Sequence, residues 1–123
     1  MKHTLLLATA CVLLAIFAFM PAKRNLVGHW TITSPNGGTA NIEFKDDGTF
    51  VTVIPAEQFT VGGQYSLKDD ILSVTDTSCG NGYWSKYQAT FFTDDSVYSA
   101  VIEDSCAGRR SAVDKATMVR MKM

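Results

Sequence analysis

From Leu26 to Met123 short runs of β-branched and aromatic residues alternate with turn chemistry, and no stretch carries helical periodicity. Such spacing predicts an all-β sandwich or barrel. LVGHWTITS comes first, with Trp30 and Ile32 on one face, and SPNGG (Ser34 to Gly38) turns the chain through an Asn-Gly step suited to positive φ. In TANIEFK, Ala40, Ile42 and Phe44 alternate with Asn41, Glu43 and Lys45, the pattern of a half-buried strand. KDDGTF is an Asp-Gly hairpin signal leading into TFVTVIP, and a looser AEQFT precedes VGGQYSLK, where Val61, Tyr65 and Leu67 share one parity. Asp69 and Asp70 turn the chain into ILSVTDT. After Cys79 and GNG, the run YWSKYQATFFT reaches Thr93, Asp94 and Asp95 turn it into VYSAVIED, and TMVRMKM closes the series. About eight strands result, joined mostly by tight turns.

Eight hairpin-connected strands leave two exposed edges unless the sheet closes, so an antiparallel up-and-down barrel is expected over 26–123. An eight-stranded barrel has room for a packed interior or for one small ligand. Ala40, Gly63 and Ala89 beside Phe44, Tyr65 and Phe91 suit either a partly open cavity or a core filled by large and small side chains.

Ahead of the barrel, residues 1–22 read MKHTLLLATACVLLAIFAFMPA: a short basic start, an apolar run from Leu5 to Met20, then a proline and a small residue. This is the pattern of a secretory signal. Its cleavage site is poor, because Met20 stands two residues before Ala22. The run of roughly 16 residues falls short of the about 20 that span a bilayer, yet tilting would let 5–20 remain as an anchor. A lipoprotein reading at Cys11 would need ATAC to serve as its signal. In each case the domain is delivered outside the cytoplasm, periplasmic or secreted.

That compartment gives the cysteines meaning. Of the three, Cys11 lies in the leader, leaving Cys79 and Cys106 as an even pair where thiols tend to be oxidised, and a disulfide is the default. Chain-entropy reasoning assigns it about 3.5 kcal/mol. The alternatives for Cys106 are a free thiol, a nucleophile or a metal ligand. A nucleophile needs a neighbouring base, and His29, the histidine outside the leader, is far away in sequence. Metal sites usually show closely spaced ligand pairs, which are missing here. Net charge is −1, with 11 basic and 12 acidic residues mixed along the chain, so nothing suggests a nucleic-acid partner.

Gly28-His29-Trp30 in a first strand just after a signal resembles the GxW opening of lipocalins and of small bacterial secreted lipocalin-like domains. The order IEFKDDGTF, GGQYSL, a cysteine before a GxY-like step, and DSCAGR is similar to such domains across nearly the whole mature chain. The resemblance implies a calycin-like barrel closed at one end by Trp30, with Arg120 of the last strand packed across it. Full lipocalins are longer, with a C-terminal helix and a large mouth loop for which this chain has no room.

The remaining candidates each have a bland counterpart. Arg109, held by the presumed disulfide, can take a carboxylate or phosphate bidentately, or can pair with Asp104 and fix its own loop. Tyr83, Trp84 and Tyr87 form an aromatic cluster, with Trp84 facing out or at the rim. The doublets Asp46-Asp47, Asp69-Asp70 and Asp94-Asp95 fall at turns, where aspartate bonds its own backbone, and lack the ligand spacing of a calcium loop. The expectation is a binding module and not an enzyme, without metal or cofactor. Its ligand is a small apolar or amphipathic molecule against Phe44, Tyr65, Phe91 and Arg109. The rival is a protein-contact role, as inhibitor or envelope-assembly factor, through the loops around Cys79 to Tyr83 and Cys106 to Arg110. A membrane enters only through 5–20.

Overall fold

The computed structural model describes residues 24–80 and 82–122; the leader or anchor expected at 1–22, with Cys11, lies outside them. Eight strands are present: β1 (Gly28–Thr33), β2 (Thr39–Phe44), β3 (Thr49–Ile54), β4 (Phe59–Lys68), β5 (Ile71–Asp76), β6 (Ser85–Thr93), β7 (Ser96–Glu103) and β8 (Ala116–Arg120). Each pairs antiparallel with its neighbours in sequence, and β8 pairs with β1, closing an up-and-down barrel. Closure leaves no free sheet edge.

Register follows from the pleat, because a one-residue slip would turn every apolar face to water. Phe44 lies opposite Phe50, Phe50 opposite Gly63, Leu67 opposite Leu72, Tyr87 opposite Val101, and Ile32 opposite Met118. These inward positions build one core in which Leu26, Trp30, Phe44, Phe50, Leu72, Tyr87, Val97 and Met118 are buried. At Gly63 the neighbouring strand comes so close that a Cβ would stand 2.0 Å from the Thr75 carbonyl oxygen. Turn chemistry also takes local form. The Asp47 carboxylate accepts from the Thr49 amide at 2.9 Å and its hydroxyl at 2.6 Å. Asp69 and Asp70 both adopt left-handed backbone, φ 52° and 61°, as a two-residue hairpin with a primed turn requires.

Two features depart from the expected meander. β4 begins at Phe59, earlier than VGGQYSLK, because the 3-10 turn Pro55–Glu57 and the left-handed Gln58 (φ 50°) redirect the chain within AEQFT. The second is a helix, α1 (Ala107–Val113), in the β7–β8 connection. The up-and-down order puts the hairpins β2–β3, β4–β5 and β6–β7 at one end of the barrel with the start of β1. The other end, called the mouth below, receives the β1–β2, β3–β4 and β5–β6 connections and α1. Among the described residues no helix is long and apolar enough to cross a membrane.

Candidate functional site

At the mouth α1 is fastened by side chains that arrive from separate strands. Arg109, one turn into the helix, donates from Nε to Asp104 Oδ2 at 2.8 Å, from Nη2 to Asp104 Oδ1 at 3.1 Å, and from Nη1 to Asp76 Oδ2 at 3.0 Å. The Tyr87 hydroxyl donates to Asp104 Oδ2, and the Cys106 amide donates to Oδ1 at 2.9 Å. Asp76 spends its other oxygen on the Ser78 amide and hydroxyl. Tyr83 lies under the Arg109 guanidinium at 5.8 Å and accepts from the Ser105 amide. The Arg109 side chain is only 8% exposed, and every buried polar side-chain atom among the described residues has a partner.

Burial and bonding set the charges here. Burial pushes the Asp104 carboxyl up, but hydrogen bonds from Arg109, Tyr87 and the Cys106 amide outweigh it and hold the group below its ordinary value. Burial, then the bond to Asp104, raises the Tyr87 phenol, so it stays a neutral donor. Burial alone would lower Arg109, yet the bonds to Asp104 and Asp76 raise it. The cluster is thus two carboxylates against one guanidinium, a formal net charge of −1.

Cys79 and Cys106 are disulfide-bonded, with Cα atoms 5.6 Å apart, tying the β5–β6 connection to the start of α1. Such bonds persist in oxidising compartments, which supports an extracytoplasmic setting. Reducing the bond is expected to lower stability by about 3.5 kcal/mol. The check is the urea midpoint with and without reductant, and an unchanged midpoint would show that the ion cluster alone holds the loops.

Three further ties complete the fastening. Ser34 Oγ in the β1–β2 turn donates to the Ala112 carbonyl at 2.7 Å, Ser99 Oγ to that of Val113 at 2.6 Å, and the Val101 amide to Asp114 Oδ1 at 2.9 Å. These ties and the Asp76 bond run to β1–β2, β5 and β7; none of them reaches the β3–β4 connection. Accessibility follows that asymmetry in part, since Val74 and Val101 on the α1 side are half-buried as well. Inward-facing Tyr87, Ser85, Ser99 and Ala116 are sealed. On the inner face of β2 to β4, Ala40, Ile42, Thr52, Ile54 and Val61 are only half-buried, and Phe59, opposite Ile54 and on the parity of Val61, is 47% exposed.

The opposite end is closed over Trp30, with a cleft beside the N-terminal segment. Trp30 is fully buried, its indole Nε1 donates to the Leu26 carbonyl at 2.7 Å, and Arg120 lies over its ring at 4.3 Å. Arg120 also donates to the Val27 and Asn25 carbonyls and to Asp95. Gly28 is glycine for a reason the motif does not reveal: its φ is 132°, and a Cβ there would stand 2.7 Å from Arg120 Nη1.

The proposed wall residues occupy this shut half. Phe44 meets the Tyr65 ring edge-on at 4.7 Å, the Tyr65 hydroxyl donates to the Lys45 carbonyl at 2.7 Å, and Phe91 is capped by Arg24 at 5.4 Å. A cleft of about 250 Å³ lies beside them, lined by Arg24, Asn25, Leu26, Tyr65 and Leu67. The structure therefore places Phe44, Tyr65 and Phe91 away from Arg109, at the other end of the barrel. His29 faces outward, 3.5 Å from Glu43. Among the described residues no group of three or more His, Cys, Asp or Glu is arranged to hold a metal.

Sequence reasoning did not single out Asp76, Thr52, Ile54 or Phe59. Asp76 had a signal: in ILSVTD it shares the parity of Leu72 and Val74, an acid on an apolar face. Such an acid needs a buried partner. No protein-family model matches the chain, and no curated protein is similar to it in sequence.

Proposed function

We propose that this lipocalin-like barrel is an extracytoplasmic binding module, not an enzyme, that holds a small apolar or amphipathic molecule entered through the β3–β4 side of its mouth. The observation that carries the reading is the uncovered inner face there. Apolar side chains that a solid barrel would seal are left partly open at Ile42, Ile54 and Val61, and Phe59 is exposed at the lip. Their burial by a ligand would gain about 25 cal/mol for each Å² removed from water. Phe44, Tyr65 and Phe91 then form the floor beneath the ligand.

The test is mass spectrometry of protein isolated from its native source without detergent, first intact and then after solvent extraction. A stoichiometric apolar adduct that extraction removes is the expected result. A clean mass that also takes up no added apolar probe would sink the reading. It would favour protein contact at the exposed Trp84 and Ile102 flanking the disulfide loops.

A further inference from the structure

The charged groups at the mouth bear on which amphiphile the barrel accepts, an inference that rests on the carrier reading above. Arg109 is a guanidinium held at the mouth, and each of its three nitrogens already donates to a carboxylate of Asp76 or Asp104. The cluster is one negative charge in excess, and it is buried, so water screens it weakly. On the uncovered lip itself the 3-10 turn between β3 and β4 carries Glu57, exposed and negative. Arg110 is exposed on α1, where salt screens its attraction. A carboxylate or phosphate entering this mouth therefore meets net repulsion from the cluster and Glu57 and loses hydration, with only the exposed, solvent-screened Arg110 and Lys115 as cations on and just after α1.

A different polar partner is available. Register puts Thr52 on the inner face, between Ile42 of β2 and Val61 of β4. Among Ala40, Ile42, Thr52, Ile54, Phe59 and Val61 it alone carries a polar group, one hydroxyl able to donate and accept. A lone hydroxyl on an apolar wall orients a neutral head group without demanding a charge.

We propose that the barrel selects an uncharged amphiphile, a long-chain alcohol or ester, over an anionic one, with Thr52 holding its polar group. The probes are decanol and decanoate at about pH 8, where the acid is fully ionised, titrated into protein isolated without detergent and stripped by solvent, and read by native mass spectrometry. Decanol is expected to bind at least about tenfold more tightly, the ratio that corresponds to one order in Kd. In Thr52→Val, which keeps the side-chain volume, decanol affinity is expected to fall about fivefold, the loss of one neutral hydrogen bond, while thermal stability stays as in the parent.

Decanoate binding as tightly as decanol would overturn the selectivity and leave the carrier reading intact. An unchanged decanol affinity in Thr52→Val would remove Thr52 as the head-group partner. Failure of both probes to bind the parent protein would sink the carrier reading itself, and the selectivity with it.

Discussion

Replacing Trp30 with alanine is expected to remove about 3–5 kcal/mol of stability, the range for emptying a buried aromatic site. The ring is fully buried at the shut end of the barrel, in contact with the core formed by Leu26, Phe44, Val97 and Met118. Truncation also strips the Leu26 carbonyl of its indole donor and takes the ring from beneath Arg120. Arg120 would then face a void, and the segment Asn25 to Val27 would lose one of the three side-chain bonds to its carbonyls, the other two coming from Arg120. For a domain of this size about 3 kcal/mol corresponds to a fall in thermal midpoint on the order of 12 °C. Circular dichroism on heating measures it, and a midpoint within a few degrees of the parent would remove Trp30 from the core. Arg120→Met, which keeps much of the covering surface, should cost less than half as much.

Much of the barrel was legible because its signals are local. The alternation Ala40, Ile42, Phe44 needs no partner to announce a strand. The aspartate doublets mark their turns through backbone chemistry confined to a few residues, as the Asp47 bonds to Thr49 show. Closure followed from those local signals by the cost of free edges. The helix α1 was not legible for the converse reason. AGRRSAV is too short for an apolar period to build up, contains no buried residue, and keeps its place through bonds to Asp104 and to Asp76, 33 residues away. No pattern along the chain reports such a pair. The GxW motif lies between these cases: its spacing is visible, but the reason for Gly28, the approach of Arg120 across the barrel, exists only in three dimensions.

The same distinction explains the division of the candidate site. Inward parity grouped Phe44, Tyr65 and Phe91 correctly on one face, yet parity carries no information about height along the barrel axis. Arg24 over Phe91 and the Tyr65 bond to Lys45 belong to the shut end, while Arg109 belongs to the mouth. What distinguishes the open lip is which connections α1 fails to cover, and that depends on the ties to Ser34, Ser99 and Asp76.

Arg109→Ala should be the most pH-sensitive variant of this protein. In the parent, Asp104 titrates below its ordinary value, so its ion pair contributes fully above the unfolded carboxyl range, about 3.9, and fades only as pH drops through the lowered folded value. Arg109 itself titrates above its ordinary value, and its share is lost only in strong alkali. Removing the guanidinium leaves Asp76 and Asp104 buried with a like charge for a neighbour, which costs about 3–5 kcal/mol at neutral pH. The Asp104 carboxyl, stripped of its guanidinium and still buried, then titrates above its unfolded value, and protonation relieves the variant as pH falls toward about 4. Acidification therefore narrows the gap between parent and variant instead of shifting both alike. Urea midpoints at about pH 7.5 and pH 4.5, bracketing the neutral region and the approach to the carboxyl range, read it directly. A gap that stays constant between them would mean that water reaches the two carboxylates once Arg109 is gone, and that α1 seals the mouth less tightly than its bonds imply.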